Sequence, residues 1–246
     1  MGIAESFYSF AVVFCSACAF QLLNKSLVWF GLIPESARSS FSKRWKWQNI
    51  FISFIHSSVT GTWSVLCFCQ EPKMAEDLIS TYTVFSQALV AVSVGYFLYD
   101  TFDMLLYNRT KQSYELLLHH AVILCCFGIA LMTQRYIGYA TVALLVEINS
   151  IFLHMRQLMQ MLGFQKDNSF YRLNSLINLG TFVGFRIATL AWMTRWIVVN
   201  RDLVPLPLYS IGSIGLAIMT VMNIVLLYRL LQSDFIRKKE HSIKSE

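Results

Sequence analysis

Apolar residues in this chain gather into seven long runs, separated by short segments rich in charge and small polar groups. The runs cover roughly 7–32, 47–69, 82–106, 114–132, 137–162, 176–199 and 208–231. A helix needs about 20 predominantly apolar residues to cross a bilayer, so the pattern predicts an all-α bundle of about seven transmembrane helices. Pro34, Pro72, Pro205 and Pro207 all fall between the runs. Proline breaks helical hydrogen bonding, so it marks the same boundaries independently. No internal repeat or second domain is visible, and the polar tail from Gln232 is expected to fray.

Composition agrees. The 246 residues are 56% hydrophobic and only 14% charged, against about 45–50% and about 25% in soluble domains. This excludes a soluble domain, a disordered tail and a secreted disulfide scaffold. The net charge of +6 then reads as basic loops on a membrane protein, and nucleic acid is not an expected partner. Cys15, Cys18, Cys67, Cys69, Cys125 and Cys126 all lie in apolar runs. They read as small buried hydrophobes outside any disulfide or zinc arrangement.

Loop charge predicts orientation. Fourteen basic residues fall in the first, third and fifth loops and at the C-terminal end, while four fall on the opposite side. Positive loops stay cytosolic, which places the N-terminus outside and the C-terminus in the cytosol. The first run reads as a retained helix, the alternative being a signal peptide. Against the alternative, MGIAES lacks a positive n-region. Gly2 and Ser6 also fit the myristoylation pattern.

Ionisable residues inside spanning helices are costly and face a bundle interior or a watery cavity. Here they are His56, Asp100, Asp103, His119, His120, Glu147, His154 and Arg186, joined by Asn149, Asn178 and Asn223. Their concentration predicts a shared polar cavity. Asp100 and Asp103 share one helix face, and the next helix carries His119 and His120. A carboxylate there can orient an imidazole for acid–base work; the alternative is that both aspartates are solvated at the headgroup level. Adjacent histidines point about 100° apart, so one is expected in the cavity and the other in packing. Glu147, Ser150 and His154 form one stripe, and Arg186 needs a carboxylate, for which Glu147 is the candidate. That pair would either fix helix packing or bind a headgroup. No metal-ligand spacing is present, so neither a metal nor a cofactor is expected. GTFVG, with Gly180 and Gly184, fits a small-xxx-small packing face. Trp45, Trp47, Trp192 and Trp196 read as interfacial belt residues.

The stretches GYFLYDTFDMLL, ELLLHHAVILCCFGIALM and LLVEINSIFLHMR resemble the TLC domain family, which includes the ceramide synthases. RWKWQNIFISFIHSSVTGTWSVL, VSVGYFLYDTFD and LYRLLQSDF are similar to a small non-synthase subgroup, the TLC domain-containing proteins one and two. The resemblance spans about residues 45–235. It implies six central helices forming a barrel around a membrane cavity. The domain reading is an N-terminal helix at 1–33, a TLC domain at 34–235 and a polar cytoplasmic tail at 236–246.

By the same resemblance His119 and His120 match the paired histidines of the synthases. The synthases' later His-Asp motif, with a second Asp three residues on, falls at Val146, Glu147 and Ser150. Only one carboxylate survives, which argues against sphingoid N-acylation. The subgroup implies a plasma-membrane protein, with endoplasmic reticulum the runner-up. The implied role is to regulate phospholipid composition and fluidity by limiting incorporation of polyunsaturated acyl chains. Its partners would be membrane phospholipids or acyl chains. One alternative is an acyl-CoA-dependent lipid acyltransferase using His119 or His120, with Asp100 and Asp103 in support. A second alternative is a non-catalytic scaffold.

Overall fold

A computed structural model describes residues 3–236 and contains ten α-helices among them. They are α1 (Ile3–Trp29), α2 (Glu35–Arg38), α3 (Phe41–Gln70), α4 (Val84–Tyr107), α5 (Lys111–Thr133), α6 (Ile137–Leu144), α7 (Glu147–Met161), α8 (Ser169–Thr181), α9 (Ala188–Val199) and α10 (Leu206–Leu231). Short 3₁₀ turns occupy Pro72–Ala75 and Arg201–Leu203, and π-helical turns occupy Phe182–Ile187 and Gln232–Ile236. Among the described residues seven helical segments are long and apolar enough to cross a membrane, matching the seven runs. Gly2, the tail beyond Ile236 and its basic residues lie outside the described residues.

Helix starts follow local capping chemistry. Ser40, Thr83, Thr110 and Asn168 each accept a backbone N–H from the first turn of α3, α4, α5 and α8. This satisfies donors that would otherwise be orphaned. The Ser40 and Asn168 caps start α3 and α8 six and seven residues before the apolar runs begin. Hydropathy overlooked those polar first turns. Pro207 is a correction: it lies inside α10, in the first turn, where a missing N–H costs nothing.

The last six spans close into a ring. Around it, α3 touches α4, α4 touches α5, α5 touches α10, α10 meets the segment from α8 to α9, and α7 returns from α8 to α3. Helix α1 packs outside the ring, mainly on α4. Close approaches set the register. A Cβ on Gly61 of α3 would stand 3.0 Å from Ile148 N and 3.1 Å from Glu147 C. A Cβ on Gly95 of α4 would collide with Val13 O and Ser16 of α1. Gly180 and Gly184 meet nothing within 4 Å, so GTFVG is no packing face.

Two further expectations are corrected. Among the cysteines only Cys67 is buried; Cys15, Cys18, Cys69 and Cys125 are exposed on the bundle surface, and all six are free thiols. Lipid-facing helix surface is apolar too, so hydropathy alone does not separate it from core. Residues 232–236 do not fray. They form a π turn held by Asp234, whose carboxylate receives Arg156 Nε and Nη2, each at 2.6 Å. Arg156 therefore belongs to a buried ion pair instead of a solvated basic loop.

Candidate functional site: a polar interior shared by six spans

Each ring span contributes polar side chains to the interior. Helix α3 supplies Asn49, Ser53, His56 and Ser57; α4 supplies Asp100; α5 supplies His120; α7 supplies Glu147, Asn149 and Ser150. The turn between α8 and α9 supplies Arg186, and α10 supplies Asn223. Apart from Asn49, which is half-buried, these side chains are all buried. His119 and His154 are half-buried and have Glu147 and Arg186 as electrostatic neighbours.

The aspartates are buried, so the solvated alternative is overturned, and they part company. Asp100 Oδ2 lies 3.5 Å from His120 Nε2, and its Oδ1 accepts from Asn49 Nδ2. The expected carboxylate–imidazole contact is thus present, on His120. Asp103 Oδ2 instead accepts from Trp45 Nε1 at 2.7 Å. Trp45 is therefore a hydrogen-bond donor to α4, and Trp47 is buried; neither belongs to an exposed belt. The two histidines divide as their 100° offset requires. His120 is buried and bonded to Thr101 Oγ1 at 3.2 Å, while His119 stays partly open. Phe97 packs against both rings, with centroids at 5.3 and 6.3 Å. His56 stacks on Tyr96 at 3.7 Å.

Arg186 does not form the expected ion pair with Glu147. Its Nε donates to Asn149 Oδ1 at 2.7 Å, Nη1 to Asn223 Oδ1 at 2.9 Å and Nη2 to Ser150 Oγ at 2.7 Å. Phe182 lies 5.7 Å below the guanidinium. Glu147 Oε2 accepts from Ser57 Oγ at 2.7 Å. The helix is interrupted at Leu145 and Val146, just before Glu147, which puts the carboxylate at the positive N-terminal end of α7. The π turn carries Arg186 toward the next turns of α7. π-Bulges recur at functional sites because they redirect one side chain. The charges thus bind separate sets of neutral partners and act on each other only through space.

Three donors of the guanidinium are used, and Arg has five. Two remain for a further acceptor. His56 Nε2, His154 Nδ1 and Asn178 Nδ2 are buried without a hydrogen-bond partner among the described residues. Asn149 also donates to Asn178 Oδ1 and Thr181 Oγ1, extending the network along α8. Sequence reading placed most of this set. It missed Asn49, Ser53, Ser57 and Thr101, whose neutral side chains look unremarkable without their partners.

This is a polytopic helical membrane protein whose ring of six spans encloses a polar, histidine-bearing interior. Residues 46–232 match the TLC domain, and the chain belongs to that family. It is 60% identical over 232 residues to TLC domain-containing protein 2 of Danio rerio, covering 92% of this chain and 91% of that protein. It is 37% identical over 208 residues to TLC domain-containing protein 2 of Homo sapiens, covering 85% and 77%. Against TLC domain-containing protein 1 of Homo sapiens it is 33% identical over 229 residues, covering 92% and 91%.

Proposed function

We propose that this protein regulates phospholipid acyl composition, limiting incorporation of fluidising polyunsaturated chains, by binding the polar end of an acyl lipid inside the ring. The observation that carries this reading is Arg186: a buried cation held by three neutral oxygens, with donors to spare. Such a group suits the phosphate or carbonyl of an amphiphile. Half-buried His119 and His154 stand beside it, and apolar helix surface accommodates the chains. A charge left in the membrane interior is costly, which favours a role beyond packing. The proposed setting is the plasma membrane, with the C-terminus in the cytosol.

A purified sample in nanodiscs, irradiated with a phospholipid carrying a photoreactive group near its acyl ester, tests this. Crosslinks are expected on α5, α7 or the Phe182–Ile187 turn. Labelling confined to the outer surface of the bundle would refute it. The Asp100–His120 contact favours a second reading, a lipid acyltransferase. In that case acyl-CoA and lysophospholipid would give phospholipid with the purified protein. Sphinganine and acyl-CoA are expected to give no ceramide, because Val146 and Ser150 stand where the synthases carry proton-active groups.

A further inference from the structure

The contacts of His120 fix where its protons lie. Thr101 Oγ1 approaches Phe97 O to 2.6 Å. Two oxygens come that close only with a proton between them, and a carbonyl has none to give. The Thr101 hydroxyl proton is therefore committed to Phe97 O. At the 3.2 Å contact with His120 Nδ1, Thr101 can only accept, so Nδ1 carries a proton. A neutral imidazole has one N–H, which would leave Nε2 as a bare lone pair. Nε2 faces Asp100 Oδ2 at 3.5 Å, and an ionised carboxylate is acceptor-only. Lone pair would meet lone pair, beside a carboxylate charge buried in the membrane with only Asn49 as donor.

We infer that Asp100 and His120 form a proton-binding site that holds one proton between Oδ2 and Nε2. The proton resides either on the carboxyl, with a neutral ring, or on the ring, as an imidazolium beside a carboxylate. Both forms are net neutral, which suits a bilayer interior where an unpaired charge is costly. Loss of the proton would strand a carboxylate, and a second proton would strand an imidazolium.

The surroundings leave the pair undisturbed. From α3 it is faced by Asn49 and His56; from α4 by Tyr96, Tyr99 and Asp103, the last occupied by Trp45; and from α5 by His119. None of these is a cation bonded to Asp100, so the proton it shares with His120 is what compensates its charge. The His119 ring centre lies 5.8 Å from that of His120. The shared proton thus lies one imidazole away from a half-buried group, through which it could be lent to a ligand or taken from one. The inference rests on the hydrogen bonds of Thr101 and the 3.5 Å approach of Nε2 to Oδ2, and it stands whether or not the interior binds lipid.

Asparagine at position 100 separates proton from packing. Its Oδ1 can accept from Asn49, and its Nδ2 can donate to His120 Nε2, so both contacts survive without a shared proton. Nitrogen-15 histidine NMR and infrared spectra of the full chain in nanodiscs at neutral pH read the outcome. His120 signals are identified through their contact with the Thr101 methyl. In the wild type Nδ1 is expected to be protonated. It should be accompanied either by a protonated Nε2 or by the C=O stretch of a protonated carboxyl. In Asp100→Asn, Nδ1 keeps its proton, Nε2 has none, and the carboxyl band is gone. A wild-type His120 with bare Nδ1 and its sole proton on Nε2, beside an ionised Asp100, would overturn the inference. So would a neutral Nδ1–H ring with no carboxyl band. The wild-type spectrum alone decides between these outcomes, so failure of the variant to fold does not protect the claim.

Discussion

The Arg156–Asp234 pair offers the sharpest test of how the ring is held shut at one end. Asp234, at 2% side-chain exposure, receives both Arg156 donors; Arg156 is 11% exposed. Tyr171 and Ser175 of α8 donate to the same carboxylate, at 3.2 and 3.1 Å. One carboxylate thus ties the end of α10 to α7 and α8. Asp234→Ala removes four accepted hydrogen bonds and leaves a buried guanidinium uncompensated. Breaking a buried pair in this way costs about 3–5 kcal/mol. For a chain of this size 1 kcal/mol shifts Tm by about 2–4 °C, so a loss of about 6–20 °C is expected in detergent. The double variant Arg156→Met with Asp234→Leu removes both charges and should regain part of that loss. The exposed pair of Arg229 with Glu115, bonded at 2.8 and 3.1 Å, is the control. Glu115→Gln should leave Tm unchanged, because exposed pairs contribute little. A Tm shift no larger for Asp234→Ala than for Glu115→Gln would refute the reasoning, as would a double variant no better than the single.

Three more predictions follow the same physics. Arg186→Met should destabilise the fold by leaving Asn149, Ser150 and Asn223 short of a donor, about 1–3 kcal/mol for each stranded group. A double-mutant cycle should show stronger coupling of Arg186 to Asn223 than to Glu147, and the reverse order would restore the direct ion pair. Asp77 accepts the amides of Ser80 and Ile79 at 3.0 and 2.9 Å, and these bonds, Ser80 first, hold its carboxyl below the usual range. Its stabilisation is therefore complete above the unfolded value of about 3.9 and drains away as pH falls through the lower folded value. Asp77→Asn should flatten that acid limb in a pH series of hydrogen exchange at residues 76–83, and an unaltered limb would contradict the assignment. Asn108-Arg109-Thr110 is a glycosylation sequon on the basic side. With that side in the cytosol it carries no glycan, and a glycosidase-sensitive gel shift abolished by Asn108→Gln would invert the orientation.

The seven spans were legible because burial in a membrane writes itself as uninterrupted hydropathy. Partner choice was less so. Arg186 was recognised as needing compensation, yet charge complementarity pointed to Glu147. The structure supplies amides and a hydroxyl instead, because the π turn carries the guanidinium to Asn149, Ser150 and Asn223. No periodicity argument registers a π turn, since it shifts side chains by a fraction of a turn. Asp234 was overlooked for a different reason: a single acidic residue in a polar segment looks solvated until its arginine, 78 positions away, is placed beside it. An aspartate of α4 was expected beside a histidine of α5, since a short loop makes the two helices neighbours, but which aspartate and which histidine was left open; the structure selects Asp100 and His120. The polar partners Asn49 and Thr101 carried no signal of their own.

The central claim is that the polar interior acts on lipid acyl composition. His119 tests it best: it is half-buried, and its ring makes loose edge contacts with Phe97 and His120, at centroid distances of 6.3 and 5.8 Å. Its replacement should therefore spare the fold. Phospholipids from cells expressing the wild type or His119→Ala at equal abundance can be compared by mass spectrometry. The wild type is expected to lower the share of polyunsaturated chains, and His119→Ala to lose most of that effect. An unchanged effect in His119→Ala, or no wild-type effect at all, would contradict the claim.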